Sequence, residues 1–409
     1  MRSRRTLVIG GCILALAVSG CGSKGEKQAG SAESDSLTIG ASLSLTGKLA
    51  REGSLTREGY DLCQRAVNDK GGVPVGDKKY RLDIKYQDDT SKPDTAAQLV
   101  DQFNDKGVKL ILGPYGSANT EAAAAVVERN RQVMADSAGA DDKIFEKGYQ
   151  RSFAVLSPAS QYAASIVRSI AELADPKPKT VAFLSADDGF SKTAAKGGID
   201  EAKKQGMTVV ATEYFPNGAT DVSSSLTKVK AKHPDLIIGS VHLAEGMAII
   251  KQSRELGVIP KGGFGETVAP PTPDFAQTLG TAAENVVGST QWTPQTSGSD
   301  PWFGTAQDYT RTFQNAYGRV PEYHNAEATA ACLALVLAAQ KAGSTDPAQI
   351  RDALAALDTP SFFGPIKFDP TGKNVTKPMA VIQIQHGKPV TVWPKEAAQA
   401  KLVWPGVPS

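Results

Sequence analysis

The sequence predicts an α/β protein made of two doubly wound parallel sheets in succession. Three observations predict it. Val108 to Leu112 is a short apolar run, as in a parallel strand buried on both faces; Gly113, Pro114 and Gly116 break it, and the Ala-rich stretch Thr120 to Glu128 then has high helix propensity. This strand–turn–helix unit lies in a βαβαβα alternation that runs from about Leu37 to Asp136. The same grammar restarts after Arg151-Ser152-Phe153-Ala154 and runs to about Gly265.

Each element has its own signal. Leu37 to Leu43 reads as a first strand, and Leu55 to Asp69 as a helix with Tyr60, Cys63 and Val67 at helical spacing, ended by Gly71-Gly72. Tyr80, Leu82, Ile84 and Tyr86 alternate with polar residues, a period-two strand. Ser91 and Pro93 open the next helix, and Val133 to Asp136 is a further strand. Ser117 or Asn119 is placed to cap the helix after the 113–116 turn, and free N–H groups there suit an anion such as a carboxylate. In the second unit, strands at Thr180 to Leu184, Met207 to Tyr214, Asp235 to Gly239 and Gly262 to Gly265 alternate with helices at Ser191 to Gln205, Val222 to Lys232 and Glu245 to Leu256. Past Gly288 come helices at Phe303 to Tyr317, Tyr323 to Ala342 and Pro347 to Leu357. A late hairpin, Met379 to Gln385 and Val390 to Trp393, turns at His386-Gly387.

The first residues are not read as fold. Arg2, Arg4 and Arg5 precede an apolar run from Leu7 to Val18, about a dozen residues, against roughly 20 for a bilayer span. Val18-Ser19-Gly20-Cys21 resembles the bacterial lipobox, which implies lipidation at Cys21 and export to the outer face of the cell membrane or the periplasm. The arginines also resemble a degenerate twin-arginine signal. The polar stretch up to Ser36 reads as a tether. Cys63 and Cys332 fall on apolar helical faces; the sequence leaves open two buried thiols or a disulfide.

The balance of charges, net +2 over 409 residues, gives no support to a nucleic-acid partner. The histidines His233, His242, His324 and His386 have no metal-ligand spacing, and neither a G-x-S-x-G elbow nor a P-loop occurs, so no metal, cofactor or catalytic residue is predicted.

The segments Ile39-Gly40-Ala41-Ser42-Leu43-Ser44-Leu45-Thr46-Gly47, Gly59-Tyr60, Asn68-Asp69-Lys70-Gly71-Gly72, Tyr86-Gln87-Asp88-Asp89, Ile111-Leu112-Gly113-Pro114 and Phe363-Gly364-Pro365-Ile366-Lys367-Phe368 appear in this order. On them, the chain from about Leu37 to Trp393 resembles the type I periplasmic solute-binding proteins of ABC transporters, nearest the leucine/isoleucine/valine branch. The resemblance implies two Rossmann-like lobes joined by three crossovers, a ligand in the cleft, closure on a hinge, and a membrane permease as partner. It implies a monomer binding a small solute, most simply an amino acid; an amide or urea-like solute, or a signalling partner in place of the permease, are the alternatives.

Residue by residue, the resemblance puts Ser117 at the ligand carboxylate; Gly116 and Tyr115, in the turn before it, are further ligand-binding candidates. The Ala138 carbonyl and Glu266 fall at the ammonium, and Ala140 stands where the family has a threonine. Phe190 falls at one aromatic wall. A second aromatic position falls at Val241, beside His242, and a third at Glu52. The implied organisation is a signal peptide at 1–20 and a tether at 21–36. Lobe 1 takes 37–157 with 289–362, lobe 2 takes 158–288 with 363–398, and 399–409 is a tail.

Overall fold

The computed structural model describes residues 35–406; Cys21, the signal and nearly all of the tether lie outside them. Strand β1 (Ser36–Leu43) leads into helix α1 (Ala50–Asp69), and the hairpin β2 (Val73–Val75) and β3 (Lys78–Asp88) follows. Helix α2 (Pro93–Asp105), β4 (Leu110–Leu112), α3 (Ser117–Arg129), β5 (Val133–Asp136), a short turn α4 (Asp142–Phe145) and β6 (Ser152–Ala154) complete the first unit. Its sheet runs β2-β3-β1-β4-β5-β6, parallel from β3 to β6. Strand order reverses at β1: its chain successor in the parallel set, β3, lies on one side and β4 on the other.

The second sheet starts after the chain leaves β6. Helix α5 (Ser160–Leu173) precedes β7 (Thr180–Ala186), α6 (Gly189–Lys204), β8 (Thr208–Phe215), α7 (Ser223–Lys230) and β9 (Leu236–Ser240). Helix α8 (Leu243–Leu256), β10 (Phe264–Glu266), α9 (Pro273–Leu279) and β11 (Val287–Thr290) follow. The chain then returns to the first unit through small strand pairs and three helices: β12 (Ser299–Asp300), β13 (Gly304–Thr305), α10 (Ala306–Tyr317), α11 (Tyr323–Ala342), α12 (Pro347–Ala355), β14 (Asp358–Thr359) and β15 (Ile366–Lys367). It crosses once more to add β16 (Ala380–Gln385) and β17 (Lys388–Trp393) to the second sheet, whose order is β17-β16-β11-β10-β9-β7-β8. Here the order reverses at β7, between β8 and β9.

Parallel strands need cover on both faces, and the helices supply it. In the first lobe Phe103 of α2 packs against Gly40 of β1, while α1 and α11 lie together on the other face. Cys63 of α1 and Cys332 of α11 are buried and bonded to each other, Cα–Cα 6.3 Å, which settles the alternatives left by sequence. In the second lobe Ile166 of α5 faces Gly265 of β10, and Ile249 of α8 faces Gly239 of β9 from the opposite side.

Two expectations need correction. Residues 363–377, assigned by resemblance to the second lobe, stay with the first. Phe363, Ile366 and Phe368 join its core, and Lys373 bridges to Ala154 at the end of β6. The tail from 399 is not free of the fold: Gln383 donates to the Val403 carbonyl at 3.0 Å, and Trp404 lies over Gly262.

Three crossovers meet in one hydrogen-bonded knot. The Gln291 side chain accepts from the Ser157 N–H at 3.0 Å and donates to the Ser157 carbonyl at 3.0 Å and the Tyr162 hydroxyl at 2.8 Å. Ser157 Oγ donates to the Lys377 carbonyl at 2.9 Å, and Lys377 Nζ donates back to the Gln291 carbonyl. Each crossover is thereby bonded to the other two. No helix among the described residues is long and apolar enough to cross a membrane.

Candidate functional site

In open α/β sheets, ligands lie at the carboxyl ends of the strands where strand order reverses. This chain has two such points. In the first lobe the loops after β1 and β4 flank it, which brings forward the first turns of α1 and α3. In the second, the loops after β7 and β9 do, which brings forward Phe190 and His242.

The β4–α3 turn is shaped by Gly116. It is the N-cap of α3 at φ +88°, a conformation that strains any residue with a Cβ. Ser117 is therefore the first helical residue, not the cap, and Asn119 is buried, donating to Ser44 and Asp89 at 3.2 and 3.4 Å. Ser117 Oγ accepts from the Asp141 N–H at 3.1 Å, so its own proton remains to donate elsewhere. The Ala140 N–H has no acceptor among the described residues, while its carbonyl accepts from Ala159 at 2.7 Å. Ala138 is half-buried, held by its N–H to Asp136 Oδ1 at 3.1 Å. Burial raises the Asp136 carboxyl to about 6, against the bonds from Ala138, Gly139 and Thr120. Tyr115 is buried, its hydroxyl 3.5 Å from His324 Nε2. These candidates form one surface.

The second lobe meets it. Thr193 donates to Asp141 Oδ1 at 2.7 Å, and the other Asp141 oxygen lies against Gly189 at the start of α6. Phe190 is buried edge-on to Tyr162 at 5.1 Å and tilted to His242 at 5.2 Å. His242 Nε2 stands 3.4 Å from Asp188 Oδ2. Burial, the largest single effect, opposes the imidazolium, but Asp188, Glu245 and Glu52 together lift it above the ordinary histidine value. Arg51, in the first turn of α1, spans the lobes: its Nε pairs with Asp274 of α9, and its Nη2 lies 3.0 and 3.1 Å from the two Glu322 oxygens.

Glu266 does not join this surface, which corrects its expected place at the ammonium. It is fully buried at the end of β10, and its side chain rises on the α8 face, opposite the face on which Gly265 meets Ile166. Its carboxyl packs so closely on Gly246 that a Cβ there would come 2.5 Å from Oε2. Neither oxygen is exposed or hydrogen-bonded, and burial, with Glu245 nearby, raises its pKa well above the ordinary value. The alternation of side chains along β10 decides this: one residue's difference in register moves a side chain to the other face.

Sequence position did not single out Tyr162, Tyr323, Arg51 or the cross-lobe role of Asp141. Tyr162 carries a signal of sorts: it sits in the first turn of the helix that follows the first crossover. Glu327, buried on α11 with Oε2 unpartnered, also lies under the site; burial and Asp136 raise its pKa well above the ordinary value.

The fold agrees with that of known proteins. The periplasmic binding protein family profile matches residues 36–389. The chain belongs to that family. A Leu/Ile/Val-binding protein homologue from Brucella abortus (strain 2308) is 26% identical over 381 residues, covering 90% of this chain and 92% of the relative. Among solved structures, a leucine-binding protein from Thermotoga maritima superposes with TM-score 0.76 at 22% identity, covering 87% of this chain and 97% of its own. A branched-chain amino acid transporter substrate-binding protein from Streptococcus pneumoniae, in complex with isoleucine, gives TM-score 0.75 at 22% identity, over 87% and 100% of the two chains. The two-lobed architecture is thus that of periplasmic binding proteins.

Proposed function

We propose that this protein is the substrate-binding component of an ABC importer, and that it captures an amino acid of branched-chain type between its lobes and presents it to a membrane permease. The observation that carries this reading is the pairing of unused donors on one wall with a mixed polar and aromatic wall opposite. Ser117 Oγ–H, the N–H groups at the head of α3 and the Ala140 N–H converge where a carboxylate would lie. Phe190, His242 and Tyr115 bound the remaining space, and the half-buried Ala138 carbonyl suits an ammonium. Buried charges need such partners. The isoleucine in the Streptococcus pneumoniae protein supports the ligand class. A thermal-shift panel of the twenty L-amino acids, with amides and urea beside them, tests it, because a ligand of the native state raises the melting temperature by mass action. A rise with leucine, isoleucine or valine is expected; a rise with an amide alone overturns the reading.

The protein acts as an exported monomer held to the membrane by lipid on Cys21. The lipobox resemblance supports this. Cys21→Ala is expected to leave the membrane fraction; unchanged partition would remove the anchor.

A further inference from the structure

We propose that Glu52, not Glu266, is the acid that receives the ligand's ammonium group and so sets the requirement for an amino acid. This rests on the amino-acid reading above. Its first support is place. Glu52 is in the first turn of α1 and Ser117 in the first turn of α3, so they stand on the two flanks of the strand-order reversal at β1 and β4. The turns adjoin: Leu49 Cδ1 would be 3.5 Å from a Cβ on Gly116. A hydroxyl donor with free N–H groups on one flank and a carboxylate on the other is the complement of an amphoteric head group.

The second support is its surroundings. The Glu52 charge bears on Tyr115 and Tyr323 of the first lobe and on His242 of the second, groups that border the cleft from both sides. The third is that it is uncommitted. Among the described residues its carboxylate accepts from its own N–H and feels two charges, His242 and, at 3.9 Å, the Arg51 guanidinium, which is itself engaged by Asp274 and Glu322. His242 is likewise turned to Asp188. The fourth is access. The Glu52 side chain is 14% exposed, enough to touch a ligand, whereas both Glu266 oxygens are sealed beneath α8. A half-buried carboxylate whose neighbouring cations, Arg51 and His242, are each bonded more closely to other acids gains most from a further one. An ammonium beside Glu52 supplies the counter-charge and leaves the ligand carboxylate to Ser117 and Ala140.

Titration calorimetry with two probes tests this: L-leucine, and 4-methylpentanoate, which has the same carbon skeleton and carboxylate but no amino group. Wild type, Glu52→Gln and Glu266→Gln are compared. Glu52→Gln is expected to weaken L-leucine at least tenfold and to leave 4-methylpentanoate within threefold of wild type. Glu266→Gln is expected to leave both within threefold. Equal weakening of both probes by Glu52→Gln would make the residue merely structural and overturn the proposal. So would an unchanged L-leucine affinity, or a selective loss in Glu266→Gln. If wild type itself does not bind L-leucine, the amino-acid reading fails before any variant is compared, and this proposal falls with it.

Discussion

A carboxyl pressed against a helix turn with neither oxygen hydrogen-bonded is most stable with its proton on. Glu266 is in that position, and burial lifts it well above the unfolded value of 4.5. The native state then holds a proton that the unfolded chain releases, so its contribution to stability is complete below 4.5 and is lost as pH rises towards the folded pKa. Urea titrations at pH 5 and pH 8 should therefore show a smaller drop in stability for Glu266→Gln than for wild type. Equal drops would mean that Glu266 is ionised in the fold. His324 has the opposite sign. Burial, helped by Arg51, lowers its pKa from 6.5 to about 3, so its contribution is lost as pH falls through that window, and His324→Phe should flatten the acid limb there. An unchanged limb would deny the buried neutral imidazole. These two residues also mark what was legible in the site. Position along the chain singled out Ser117, because turn chemistry after a strand is local, whereas Phe190 and the Ala138–Ala140 loop were candidates through the family resemblance alone. It could not find which way Glu266 points, because that depends on register within a strand of only three residues, nor that Glu52 and His242 face each other's lobes.

Most elements were legible because parallel strands and their helices carry strong patterns. The helix over Tyr323–Ala342 emerges with those bounds, and its near-continuous burial follows from apolar residues all round it. Less legible were the small strand pairs β12 to β15 and helix α9, which have short, polar or proline-rich sequences and are fixed by tertiary contact. The α1–α11 pairing was also hidden, since 269 residues separate Cys63 from Cys332 and nothing local records their approach. That separation gives the bond its leverage, for a cross-link over a long loop restricts the unfolded chain most. Replacing both cysteines by alanine should lower stability by about 2–5 kcal/mol. The check is the urea midpoint of the double variant beside that of wild type with and without reductant. A midpoint that ignores both changes, or two free thiols in the denatured unreduced protein, would remove the disulfide from the account.

At the scale of the molecule, closure depends on the contacts that join the lobes away from the hinge knot. Arg51 to Asp274 and Thr193 to Asp141 are two of them. The side chains of the ion pair are 31% and 44% exposed, so solvent screens it and its worth is about 0–1 kcal/mol. Contacts of that size bias a closed arrangement without enforcing it. The ligand, by preferring the closed form, must supply most of the free energy of closure. Two results should follow together. X-ray scattering of the mature protein should show a smaller radius of gyration when a tight amino-acid ligand is added. Asp274→Asn should weaken that ligand by no more than about fivefold, the equivalent of ~1 kcal/mol, mainly through faster dissociation. The liganded scattering profile of Asp274→Asn should match wild type, because the hinge and the ligand still define the closed geometry. High salt should shrink the difference between the two proteins, since the pair is exposed. A loss beyond tenfold that persists in high salt would make Arg51 and Asp274 part of the binding surface itself. An unchanged radius on saturation by a tight ligand would mean that the lobes do not move, and the hinge reading would fail.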